Sequence, residues 1–298
     1  MCDRHPLTRV KKKALCRLAG VHHYDDVFEA LIRREKFPEK LGGLLRRRIP
    51  PHFRHKKALF IHVPKNAGTS IAKALYGFST GHKTAYFYRK ADPDFIDGVV
   101  AFAVLRDPVE RFLSAFSFIQ NGGGGEVALE SGFAAILKNK TTVDSVLDFI
   151  ENNASNIYRL DHVLRPQSWY LMDSSGNLIV KKLFVLGFHN KELRNFLSEL
   201  GVPRLQVLNQ TRPEPVALTP FQLDRVRAIY QLDTGLIEQL IAHGPMLSQP
   251  FSAWSTDGSS RTIGQPFCGK WLSHEAIEGV PGDRDCENRC QMRGEAFP

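Results

Sequence analysis

Phe60–Ile71 reads FIHVPKNAGTSI, and the order of its residue types decides the fold. A short apolar run stops at Pro64, and Lys65, a small-residue turn and the hydroxyl residues Thr69 and Ser70 follow at once. Extended back to Ala58, the apolar part (ALFIHV) reads as a buried parallel strand, because it is continuous, short and bounded by a turn. Pro64 ends the ladder, KNAG turns the chain, and Thr69 starts a helix over Thr69–Tyr76. Such a handover lies at the carboxyl edge of an α/β sheet, where ligands bind. Gly68 lets the backbone approach a ligand closely. The free N–H groups of Gly68, Thr69 and Ser70 then face any anion on the helix N-terminus, with Lys65 as a full charge beside them. The pattern is a phosphate cradle. It is not a Walker A loop, which needs lysine directly before the hydroxyl residue, so an NTPase or kinase reading is weakened. On this stretch alone, a plain corner carrying a surface lysine is the alternative.

Working outward, Phe102–Ile119 (FAVLRDPVERFLSAFSFI) repeats the design. GVVAFAVL is the strand, and Pro108–Gln120 is the helix, with Asp107 as cap, Pro108 at its first position and Glu110 at its third. Val109, Phe112, Leu113, Phe116 and Ile119 make the buried stripe, while Arg111 and Ser114 share the opposite face. Arg106 leaves the strand end and Ser114 lies about 10 Å along the helix. Together they could grip a second anion on the helix flank. The alternative is that Arg106 pairs with Asp107 or Glu110.

The rest of the chain agrees with an α/β domain. VKKLFVLGF is a third candidate strand, and helices are expected at 142–152, 191–200 and 220–241, the last opened by a Thr219–Gln222 capping box. The 298 residues are 43% hydrophobic and 24% charged, an ordinary soluble balance. A net charge of +9 asks for an anionic partner: nucleotide, polyanionic glycan, nucleic acid or membrane surface. No apolar run is long enough to span a membrane, and the basic N-terminus lacks the apolar segment of a secretory signal. Five cysteines near the two ends suit a reducing compartment better than a disulfide framework. Cys286 and Cys290 lack the second ligand pair of a zinc site, and no metal is expected.

In this order and separation, the two cradles resemble the donor-binding motifs of sulfotransferases. FIHVPKNAGTS is similar to their 5′-phosphosulfate loop and FAVLRDPVERFLSAF to their 3′-phosphate motif, including the spacing of eight from Arg106 to Ser114. The nearest resemblance is to the carbohydrate group containing the uronosyl 2-O-sulfotransferases and bacterial relatives. Fainter likenesses continue in RPQSWYL, VLGFHNKELRNFLSELG and VLNQTR. The resemblance implies a P-loop-like three-layer α/β fold whose central, mainly parallel sheet is flanked by helices. It also implies transfer of a sulfuryl group from 3′-phosphoadenosine 5′-phosphosulfate to a hydroxyl, with a carbohydrate as acceptor and no metal. By motif position, Lys65 contacts the 5′-phosphate and the bridging oxygen, Asn66, Ala67, Gly68, Thr69 and Ser70 line the 5′ side, and Arg106 and Ser114 bind the 3′-phosphate. Asn66 stands where the family commonly has threonine.

A hydroxyl acceptor also needs a base. His82, in STGHKTAYFYRK between the motifs, matches the segment that carries the base in the uronosyl enzymes. His162 is the runner-up, and His62 faces an adjacent strand end. Lys83, Arg89, Arg165 and Gln167 could hold an acceptor, and Arg212 could add a 3′-phosphate contact. The expected organisation is a basic surface-hugging extension over 1–57, a sulfotransferase domain over 58–243 and a loosely ordered tail over 244–298. Animal members often carry a membrane anchor, and its lack here points to a cytoplasmic, bacterial setting. Two other classes stand beside this reading: a sulfotransferase-like nucleotide binder without transfer, and a basic nucleic-acid-binding protein. No nucleic-acid motif accompanies the charge.

Overall fold

The computed structural model describes residues 9–34, 36, 38, 42–124, 127–129, 131–202 and 216–245. Arg212 and all but the first two residues of the expected tail lie outside them. In chain order the helices and strands are α1 (Arg9–Ala19), α2 (Asp26–Arg33), α3 (Gly42–Arg46), β1 (Ala58–Phe60), α4 (Gly68–Tyr76), α5 (Ala85–Ala91), α6 (Pro93–Asp97), β2 (Val100–Leu105), α7 (Pro108–Gln120), β3 (Gly123–Gly124), β4 (Val127–Ala128), α8 (Ser131–Leu137), α9 (Val143–Asn152), α10 (Ser168–Leu171), β5 (Lys182–Val185), α11 (Asn190–Glu199), α12 (Pro220–Ile229) and α13 (Gln231–His243).

β1, β2 and β5 form one parallel sheet with β2 in the middle, Phe102 standing beside both Phe60 and Lys182. The strands alternate two apolar faces. Leu59, Ala101, Ala103, Leu105, Leu183 and Val185 point into the larger core, where helices α2, α3, α5, α10 and α13 contribute side chains. Phe60, Phe102, Val104 and Phe184 point the other way and pack on α4 and α11 through Ile71, Leu75, Leu193 and Phe196. Helices on both faces make the α/β three-layer fold expected of the chain. A satellite core joins α7 to α8, α9 and α12, around Phe112, Phe133, Leu147 and Val226.

Local chemistry sets the helix bounds. Asp107 Oδ1 accepts from the backbone N–H of Val109 and Glu110 and starts α7. Thr142 and Thr219 close reciprocal capping boxes at α9 and α12. The single helix expected over 220–241 is two, because Tyr230 leaves helical geometry at φ −109°. Its ring is buried, and its hydroxyl donates to the Leu164 carbonyl at 2.8 Å.

The N-terminal segment does not merely hug the surface. Val27, Ala30, Ile32, Leu45, Ile49 and Phe53 are buried within the larger core. α2 buries Val27, Ala30 and Ile32 together with Asp26, Glu29 and Arg33, so this short amphipathic helix among the basic runs packs inward.

Candidate active site

The turn after β1 is held in a shape that side chains disfavour. Lys65 (φ 68°) and Ala67 (φ 58°) both have left-handed backbone. Between them the Asn66 side chain is buried, donating to the Val104 carbonyl at 2.9 Å and to Gln167 Oε1 at 2.6 Å. Asn66 therefore ties the turn to β2, and its side chain is not a free donor for a ligand. Gln167, fully buried, continues the tie: its Oε1 accepts from Arg106 N–H at 3.0 Å and its Nε2 donates to Arg106 carbonyl at 2.8 Å. One amide side chain thus fixes the first turn relative to the end of β2. Gln167 was expected among acceptor contacts; burial makes it a strut.

α4 begins at Gly68 with no side-chain cap, Ala67 being unable to supply one. An uncapped helix start of this kind is where an anion would bind. Gly68 is required by its neighbour, not by its φ. A Cβ there would strike Cδ2 and Nε2 of His62, whose ring is buried and held by Nδ1 on Thr80 (3.1 Å to the carbonyl).

Three cations gather around the turn. Lys65 Nζ lies 4.5 Å from the centroid of the Phe118 ring. Burial, reinforced by Arg106 and Arg111, lowers its pKa to about 8. Arg111 is 1% exposed, against the expectation that it shares an open face with Ser114. It passes under the turn, its Nε donating to the Pro64 carbonyl at 3.1 Å, and its Nη2 is buried without a partner. Arg106 is half-buried and pairs with Glu110 at 3.0 Å, as the alternative reading allowed. Glu110 is 63% exposed, so the pair contributes about 0–1 kcal/mol and yields readily to a stronger anion. Asp107 already fills the N-terminus of α7, which leaves only the flank, where half-buried Ser114 lies, for a ligand.

A chain of imidazoles leads away from the cradle. The rings of His62 and His82 stand 4.4 Å apart, and those of His82 and His162 5.8 Å apart. His82 Nδ1 is 3.0 Å from the His62 carbonyl. A carbonyl only accepts, so Nδ1 carries the hydrogen and Nε2 keeps its lone pair. Burial, then His62 and His162, hold the His82 pKa well below the usual histidine range. His162 is fixed the opposite way round, its Nε2 donating to Asp26 Oδ1 at 3.1 Å. Arg165 clamps the same carboxylate from both nitrogens, at 2.8 and 2.6 Å. Burial alone pushes Asp26 up, but Arg165 and His162 outweigh it and hold the carboxyl well below the carboxylate range. Arg165 is thus engaged, not free for an acceptor. The loop carrying Arg165 and Gln167 is anchored by Asp233 of α13, which accepts from the N–H groups of Gln167 and Ser168 at 2.7 and 2.8 Å.

His82, His162 and Lys83 line a cavity of about 250 Å³ with Asp25, Asp26, Glu29, Phe87 and Trp169. Arg89, half-buried on α5, is not among its lining residues. Among the described residues no three His, Cys, Asp or Glu side chains converge as a metal site would need.

A family model described as the sulfotransferase family matches residues 52–238. The chain belongs to the sulfotransferase family. No curated protein matches it. Sulfuryl transfer is the chemistry of this family, and both stretches quoted from this sulfotransferase, Phe60–Ile71 and Phe102–Ile119, lie within the matched region. Asp26 and Glu29 escaped the sequence reading, and Arg111 was placed on the wrong face. The signal for Arg111 was a cation four residues into a helix whose other inward positions are apolar. Asp26 had none, since its partners lie 136 and 139 residues away.

Proposed function

We propose that this sulfotransferase takes its sulfuryl group from 3′-phosphoadenosine 5′-phosphosulfate and passes it to a hydroxyl of a carbohydrate. The observation that carries the donor is the gathering of Lys65, Arg106 and Arg111 on an uncapped helix N-terminus, with one guanidinium nitrogen buried and unpaired. Such a set fits a nucleotide with anionic groups at both ends. When bound, the donor supplies an activated sulfuryl group on a phosphate leaving group.

The chain's own residues do the rest. The N–H groups of Gly68, Thr69 and Ser70 hold the 5′-phosphate, Arg106 and Ser114 the 3′-phosphate. Lys65 offsets the charge that grows on the bridging oxygen as its bond to sulfur breaks. The acceptor oxygen forms the new bond to sulfur, and its proton passes to Nε2 of His82, the lone pair that the His62 carbonyl leaves open. Bisphosphate and sulfate ester are the products. Gly68 and His62 connect the halves, since the ring packed on Gly68 also lies tilted against that of His82.

Calorimetry with adenosine 3′,5′-bisphosphate, with ADP as comparison, tests the donor. Micromolar binding of the bisphosphate, weak binding of ADP and loss in Arg106→Ala are expected. His82→Ala should keep that binding while kcat with an acceptor falls about 10²–10⁴-fold. Equal binding of both nucleotides, or of neither, overturns the assignment.

A further inference from the structure

The cavity beside His82 has a charge pattern that a site for a polyanion would not have. Its wall contributes three carboxylates, Asp25 just before α2 and Asp26 and Glu29 within it, against Lys83 and Arg165. Arg165 is consumed by Asp26. Glu29 Oε1 accepts from Arg33 Nε and from Thr84 Oγ1, each at 2.7 Å, while Oε2 has no partner among the described residues. Asp25 is exposed beside the cavity, and Lys83 is drawn over the Phe87 ring, 4.4 Å from its centroid. The lining therefore offers an open carboxylate oxygen, two imidazole lone pairs and two aromatic rings, and no uncommitted guanidinium. Arg33 and Arg165 are held by Glu29 and Asp26, so an anionic substituent placed here would leave water with only Lys83 to pair it, which costs several kcal/mol. A hydroxyl would find acceptors. At about 250 Å³ the space lies below the usual range of about 300–1,000 Å³ for sites of drug-sized ligands, so it holds a single ring-sized unit.

We infer that this cavity receives one uncharged sugar unit and rejects a carboxylated or sulfated one, with Glu29 of α2 holding an acceptor hydroxyl. The inference rests on the sulfuryl-transfer reading and adds the charge class of the acceptor. It also assigns acceptor selection to α2, which precedes the region matched by the family. The net charge of +9 is then a property of other surfaces.

The test compares methyl glucoside with methyl glucosiduronate, which differ only in a hydroxymethyl group against a carboxylate, using radiolabelled donor and the full chain. The expected result is kcat/KM at least about tenfold higher for the uncharged glycoside. Glu29→Gln should raise its KM about tenfold with kcat and bisphosphate binding retained. Because Glu29 is buried against Arg33, the exposed Asp25→Lys provides a second variant, expected to narrow the preference several-fold. Equal or better use of the uronate, turnover of neither glycoside by protein that binds the bisphosphate, or no response to Asp25→Lys overturns the inference and leaves the donor assignment standing. Failure to bind the bisphosphate removes both.

Discussion

Folding takes Lys65 out of water and sets it beside Arg106 and Arg111, and its pKa falls from 10.5 to about 8. The unfolded chain then binds this proton more tightly, so the charged lysine opposes folding below pH 8. Stability from this residue rises with pH between about 8 and 10.5. A bound anion reverses the balance by favouring the charged form. Bisphosphate affinity should be level below pH 8 and fall as pH rises above it, with proton uptake on binding near pH 8, measured by calorimetry in buffers of different ionisation enthalpy. Lys65→Met should raise the Tm of the unliganded protein at pH 7 and weaken bisphosphate binding about 10–100-fold. A variant with lower Tm and unchanged affinity would remove Lys65 from the cradle. On the acid side His82 stays neutral below the ordinary histidine range, so the acid limb of kcat should lie lower than a free histidine would place it.

At the scale of elements, the site is a set of ties between segments remote in sequence. Gln167 joins the first turn to the end of β2, Asp233 of α13 holds the loop that carries Gln167, and Asp26 of α2 holds the same loop through Arg165. Replacing the Asp26 carboxylate with an amide leaves the buried Arg165 guanidinium without a counter-charge and sets an N–H donor where Asp26 now accepts from Arg165 or His162. Asp26→Asn should therefore cost about 3–5 kcal/mol, read from urea unfolding at neutral pH. The carboxyl's pKa is depressed, so its contribution is present above the unfolded value of 3.8 and is lost only as pH falls through the lower folded one. The wild-type advantage over Asp26→Asn should shrink only in acid. A loss below about 1 kcal/mol would mean that Arg165 finds another acceptor.

For the whole molecule, the described part of the N-terminal segment belongs to the cooperative unit. A chain begun at residue 52, where the family match starts, would lose the large side chains of Val27, Ile32, Leu45 and Ile49 from the larger core. At about 1.5–3 kcal/mol for each buried side chain, the sum is comparable with the whole stability of a domain, about 5–15 kcal/mol. That truncation should show no cooperative thermal transition by circular dichroism. A sharp transition near the full-length Tm would show that the segment is dispensable.

Local rules carried the sequence reading where neighbours in the chain decide the outcome. The three parallel strands, the uncapped turn into α4, the Asp107 cap and the Pro108–Gln120 helix all follow from spacing within about ten residues, because strand, cap and turn energetics are set there. The family likeness rests on those same stretches. Long-range pairing decided the rest. That Gly68 must be glycine depends on the His62 ring; that Arg111 is buried depends on the Pro64 carbonyl above it; that Asn66 and Gln167 are struts depends on each other, 101 residues apart. Burial turns a polar side chain from a possible ligand contact into an obligatory partner for another buried group. No local spacing reveals which group that is, and only the tertiary structure chose it.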